Sequence, residues 1–191
     1  MKKIAAVFLA AVMITALCGC TKQGSSGNKD EGTSKYAQAV DVLDAVAKAY
    51  AEEEAFAMYG GDQENAVMDA PGKFDLSKTE EMDNTLGLPQ DQADQIDDAA
   101  SMVHMMNANT FTGAAYHLKD SADLNGFSEA VKSNILGKQW VCGSPETLVI
   151  IQAGGNYVVT AYGNGEMIDT FKNHALSVID GSQVIVETPI G

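Results

Sequence analysis

The chain has 191 residues, with 26 acidic side chains against 12 basic ones and a formal charge of −14. All the basic residues are Lys, so the Arg forks that grip phosphate are missing and nucleic acid is excluded as an expected partner. The acidity also opposes charge-driven binding to anionic lipid, and its plainest role is solubility rather than cation binding.

Lys2 and Lys3 precede an uncharged apolar run of 14 residues, 4–17. A membrane-spanning helix needs about 20 such residues, whereas the core of a secretory signal needs fewer. The run ends in Leu17-Cys18-Gly19-Cys20. That tetrapeptide resembles the lipobox of bacterial lipoproteins, with an apolar residue three before a cysteine and a small one directly before it. The resemblance implies that the Cys20 thiol takes a diacylglyceryl group, that the chain is cut before Cys20, and that the new amine is acylated. Cys18 is the poorer position, because Leu17 before it is too large for the cleavage site. Two or three acyl chains anchor stably where one binds marginally. The alternative is an ordinary secretory signal that contains cysteines. Read as a lipoprotein, residues 1–19 are the signal peptide, 20–34 a lipid-anchored flexible linker and 35–191 a single domain. The address is then the cell membrane, facing outside the cytoplasm. The linker is rich in Gly, Ser and charge, has nothing apolar to bury, and is expected to be coil spanning roughly 20 Å. Cys142 is left without a partner, so the fold must rely on its core.

The acids crowd residues 35–98, where 16 stand against 4 Lys; residues 99–191 carry 8 against 4. Thr33 and Ser34 offer caps for a first helix that fades near Met58, with Tyr36, Val40, Leu43, Ala47 and Tyr50 forming an apolar stripe. Ser77, with Glu80 three residues on, suggests a short helix through Asn84, ended by Gly87 and Pro89. Residues 91–98 read as a short helix and 102–106 as a strand, with Asn107-Ala108-Asn109 as the turn into a strand over 110–118. Asn125 offers a cap for a helix carrying Phe127, Val131 and Ile135, which Gly137 stops. Leu148 to Ile151 is an unbroken aliphatic run. Gly154-Gly155 is a tight turn, and 157–162 is a second β-rich run. Asn164 caps a helix with Met167, Ile168, Phe171 and Ala175 on one side. Residues 184–186 read as a last strand at the sheet edge.

These elements predict an α+β fold: a mostly antiparallel sheet of about four to five strands, covered on one face by helices and preceded by an N-terminal helix. Hairpin and helix alternate twice over 101–176, a pattern of ββα duplication with Phe127 and Phe171 in comparable places. Residues 86–171 resemble a family of small uncharacterised lipoproteins of Gram-positive anaerobes. The resemblance lies in LGLP at 86–89, AAYHLKD at 114–120, the SEAVKSNI helix, Pro145-Glu146 and GGNYVVTAYG at 154–163. It implies fold and address, and no catalytic residues.

Few residue patterns suggest chemistry. Met102, His104 and Met106 would share one face of a strand, and thioether with imidazole suits copper(I), although Met also fills cores. Trp140-Val141-Cys142-Gly143 lacks the second thiol that a thioredoxin-type turn requires. Asp120, Asp123, Asn125 and Glu129 do not match the ligand spacing of a calcium loop and read as helix capping. His117 and His174 lie far from any acidic spacing motif. The expected function is a lipid-anchored extracytoplasmic envelope protein acting as a binding or accessory module. Its partners would be the membrane, through the acyl anchor, and an envelope protein; no cofactor is expected. The alternatives are an envelope enzyme with a site built from His104, His117 and the acidic segment, or a soft-metal binder through Met102, His104 and Met106.

Overall fold

The computed structural model describes residues 35–141 and 143–191. The signal, Cys20, the linker to Ser34 and Cys142 lie outside the described residues. In chain order the elements are α1 (Ala39–Ala47), β1 (Met58–Gly60), β2 (Val67–Met68), β3 (Gly72–Lys73), α2 (Thr79–Leu86), a 3₁₀ segment (Gln90–Gln95), β4 (Ile96–His104), β5 (Phe111–Leu118), α3 (Leu124–Gly137), β6 (Thr147–Ala153), β7 (Tyr157–Gly163), α4 (Gly165–Val178) and β8 (Gln183–Pro189). Among the described residues no helix is long and apolar enough to cross a membrane.

The class is α+β as expected, but among the described residues the sheet has eight strands rather than four to five. Its order is β2-β1-β4-β5-β7-β6-β8, with β3 pairing with β4. Every pairing is antiparallel. The strands missed in the sequence are β1, β2 and β3. Each is two or three residues long, too short to show a period of two.

Helices cover both faces, not one. Val42, Leu43 and Val46 of α1, with Ile168, Phe171 and Ala175 of α4, pack against Ala100, Ala115, Val149 and Val159. On the other face Met82 and Leu86 of α2, with Phe127, Val131 and Ile135 of α3, pack against Ala99, Tyr116, Leu148 and Val158. Both hairpin–helix runs exist, but α3 and α4 dock on opposite faces. A twofold relating the antiparallel neighbours β5 and β7 would put both helices on one face, so Phe127 and Phe171 are not equivalent.

The local corrections have tertiary causes. The first helix stops at Ala47 rather than near Met58. Its start is held from a distance: Asp98 Oδ2 accepts from the Ala39 N–H at 2.7 Å, while Lys73 Nζ lies 3.2 Å from Oδ1. Past its end, Glu54 accepts from the Ala51 N–H at 2.8 Å and turns the chain away. The helix expected over 91–98 is a 3₁₀ segment, and the strand starts at Ile96 with an irregularity before Asp98. Asp123, not Asn125, caps α3, and Asn164 caps α4 as expected. Gly87, in the left-handed region at φ 75°, ends α2. Lys138 then reaches across from the end of α3 to donate to the Asp83 and Asn84 carbonyls at 2.6 and 3.0 Å, adding to the bond that the Asp83 carbonyl already takes from the Gly87 N–H. Burial holds that ammonium below the usual Lys range.

β1 and β3 share one edge of β4, and their backbones touch. A Cβ on Gly60 would lie 2.0 Å from the Gly72 nitrogen, whereas a Cβ on Gly137 would meet nothing within 4 Å. Gly60→Ala is therefore expected to cost about 2–3 kcal/mol or more through overpacking, and Gly137→Ala to be neutral or to gain up to about 1 kcal/mol. Urea unfolding of the two variants measures the contrast.

Candidate functional site

Asp62 is a buried carboxylate, 1% exposed, at the point where the chain leaves β1. Gly61, at φ 86°, makes the turn, and Ser101 Oγ both accepts from its N–H at 2.8 Å and donates to its carbonyl at 3.1 Å. Asp62 Oδ1 accepts from Lys78 Nζ at 2.6 Å and from the Glu64 and Asn65 N–H groups at 3.1 and 3.2 Å. Oδ2 accepts from the Asp75 N–H at 3.3 Å, and Asn65 Nδ2 bridges both oxygens at 3.0 Å. Burial alone would raise this carboxyl's pKa. The Lys78 ammonium and the converging amides outweigh it and hold Asp62 far below the usual carboxylate range. Lys78 also lies 3.1 Å from Glu64, so its charge is fully engaged.

This network sets one wall of a hollow of about 560 Å³ between the 62–65 loop, α2 and Gln90. Small-molecule sites of ~300–1,000 Å³ bury most of their ligand and are lined mainly by apolar side chains, whereas this hollow is open to solvent along most of its rim. Here Gln63, Asn84 and Gln90 supply amides, and Ser77, Thr79 and Thr85 supply hydroxyls. Lys78, Glu80 and Glu81 complete the lining. Glu81 Oε1 accepts from the Gln63 N–H at 2.7 Å, tying loop to helix. Tyr162 Oη donates to the Thr85 carbonyl at 2.6 Å, pinning the other end of α2 to β7. Burial, with the negative charge of Glu81, pushes the half-buried Tyr59 phenol up. A hollow of this chemistry suits a polar solute and offers little to a hydrocarbon.

The residues singled out in the sequence lie elsewhere. β4 ends at His104, so Met106 falls past the strand and is 82% exposed, while Met102 is sealed in the core. His104 stacks on Phe56 at 5.5 Å, and its Nδ1 accepts from the Met106 N–H at 3.2 Å. His117 Nδ1 meets Asp97 Oδ1 at 2.5 Å, with the ring against Tyr157. The Asp98–His117 pairing places His117 six residues along the hairpin from His104, roughly 20 Å, so the two do not share a site. His174 Nε2 meets Glu54 at 2.9 Å and packs on Tyr50. Of the acids near α3, Asp123 caps the helix, Asp120 accepts from Asn156, and Glu129 pairs with Lys132. Among the described residues no three His, Cys, Asp or Glu side chains group to hold a metal ion.

The hollow left a partial trace in the sequence. Gly60-Gly61-Asp62 with Asn65 is turn chemistry. The partnership of Asp62 with Lys78, sixteen residues away, has no local signal. Comparison with protein-family models, with characterised proteins and with solved structures found no match to this chain.

Because its folded pKa is depressed, Asp62 contributes its stability fully at neutral pH, and the contribution drains as pH falls below about 4. Asp62→Asn is expected to cost about 2–4 kcal/mol at pH 7. The gap between wild type and variant should narrow steadily toward pH 2 in chemical denaturation. A gap that stays constant over that range would show that the carboxylate charge is not what stabilises the loop.

Proposed function

We propose that this chain is a lipid-anchored extracytoplasmic binding module of the cell envelope. The observation that carries the address is Leu17-Cys18-Gly19-Cys20 at the end of a 14-residue apolar run behind two lysines. In this reading Cys20 bears the acyl chains, and residues 20–34 join it to the domain. The anchor, not charge, holds the protein down, because the surface is acidic.

The binding role draws support from the hollow beside α2. A buried carboxylate, several backbone amides and a lysine are committed to holding its rim in one shape. Preorganised polar walls of this kind lower the ordering cost of taking a ligand. Its guest would be a molecule present outside the cytoplasm.

The address is tested in cells fed an alkyne-tagged palmitate. Wild type and Cys18→Ala are expected to label and to sediment with membranes, and Cys20→Ala to do neither. Mass spectrometry that finds residues 1–19 retained on the purified protein, or Cys20 unmodified, overturns the assignment.

A further inference from the structure

We infer that the hollow beside α2 takes a neutral saccharide of one or two rings. This inference rests on reading the hollow as the site of a binding module, and it names the class of guest. The first argument is the state of the charges. The Lys78 ammonium is held by Asp62 at 2.6 Å and by Glu64 at 3.1 Å. An anion entering the hollow would meet Glu80 and Glu81 and find the cation of the lining already paired. Hydrocarbon would meet amides and hydroxyls, whose desolvation without new hydrogen bonds costs on the order of 1–3 kcal/mol each.

The second argument is complementarity. Each sugar hydroxyl is both donor and acceptor. The side-chain amides of Gln63, Asn84 and Gln90 present a donor and an acceptor on one planar group, and the Thr79 hydroxyl does both with one atom. A carboxylate adds a stronger acceptor, and Glu80 keeps both oxygens for it.

The test uses the full-length chain, with saturation-transfer NMR and calorimetry. The probes are cellobiose, N,N′-diacetylchitobiose and, for contrast, the cationic tripeptide Gly-Gly-Lys. Asn84→Ala and Gln90→Ala are the variants; both positions are exposed, so either one that keeps the wild-type melting curve suffices. A disaccharide is expected to bind and to weaken by about tenfold in these variants, as loss of one or two hydrogen bonds implies. Disaccharide binding that the variants leave unchanged overturns the placement in the hollow. Binding of the tripeptide alone, with the same sensitivity to the variants, overturns the saccharide class and leaves the binding module standing. Binding of none of the three overturns the saccharide inference and removes the support that the hollow gives to the binding role.

Discussion

β7 has no face in water. All seven of its residues are buried, and its neighbours β5 and β6 are nearly as enclosed. A central strand of this kind must be covered twice, and the rest of the chain is arranged to do so. α1 and α4 close one side, and α2 and α3 the other. Losing the ring of Phe171 or Phe127 would open one of these sides at a cost of about 3–5 kcal/mol. Two-sided burial is commonest for parallel strands, which read as continuous apolar runs instead of alternating ones. This sheet is antiparallel, yet its central sequences carry the same mark. Leu148 to Ile151 and Tyr157 to Tyr162 do not alternate, a mark of burial on both faces that the expectation of helices on one face alone passed over.

What was legible in the sequence was local. Asn164 caps α4 through its own side chain, Gly87 takes the left-handed conformation that stops α2, and the Gly-Gly turn joins β6 to β7. Each signal depends on residues within one turn of the feature it marks. The misreadings came where distant groups decide. α1 begins at Ala39 because Asp98, on β4, receives its N–H. β1 and β3 exist because β4 offers an edge and because two glycines let their backbones meet. The wall of the hollow depends on Lys78 reaching back to Asp62. None of these has a periodic signature.

The acid-rich half illustrates the same point. Its carboxylates look like surplus charge in composition, but many are acceptors for backbone N–H groups that secondary structure leaves open. Asp41 serves Gln38, Glu54 serves Ala51, Asp75 serves Ser77, and Glu81 serves Gln63. In the other half Asp123 and Glu146 do this at the starts of α3 and α4. Charge-assisted bonds of this type are stronger than neutral ones and favour the ionised acid. The three histidines follow suit: two meet carboxylates and the third accepts a backbone proton, so their imidazoles are occupied by the fold.

Several of these acids share a sign. Asp62 is held below its usual range, as is Asp75 through the Ser77 amide, and Glu54 through the Ala51 amide and His174. Their protonation on acidification releases backbone groups in one stretch of chain, from the end of α1 to the start of α2. The sheet centre is held by backbone ladders and apolar packing, neither of which titrates. The molecule therefore divides into a core whose ties do not change on acidification and a carboxylate-tied loop region that acid loosens. The hollow stands on that second region, so its shape and the ionisation of Asp62 are one property.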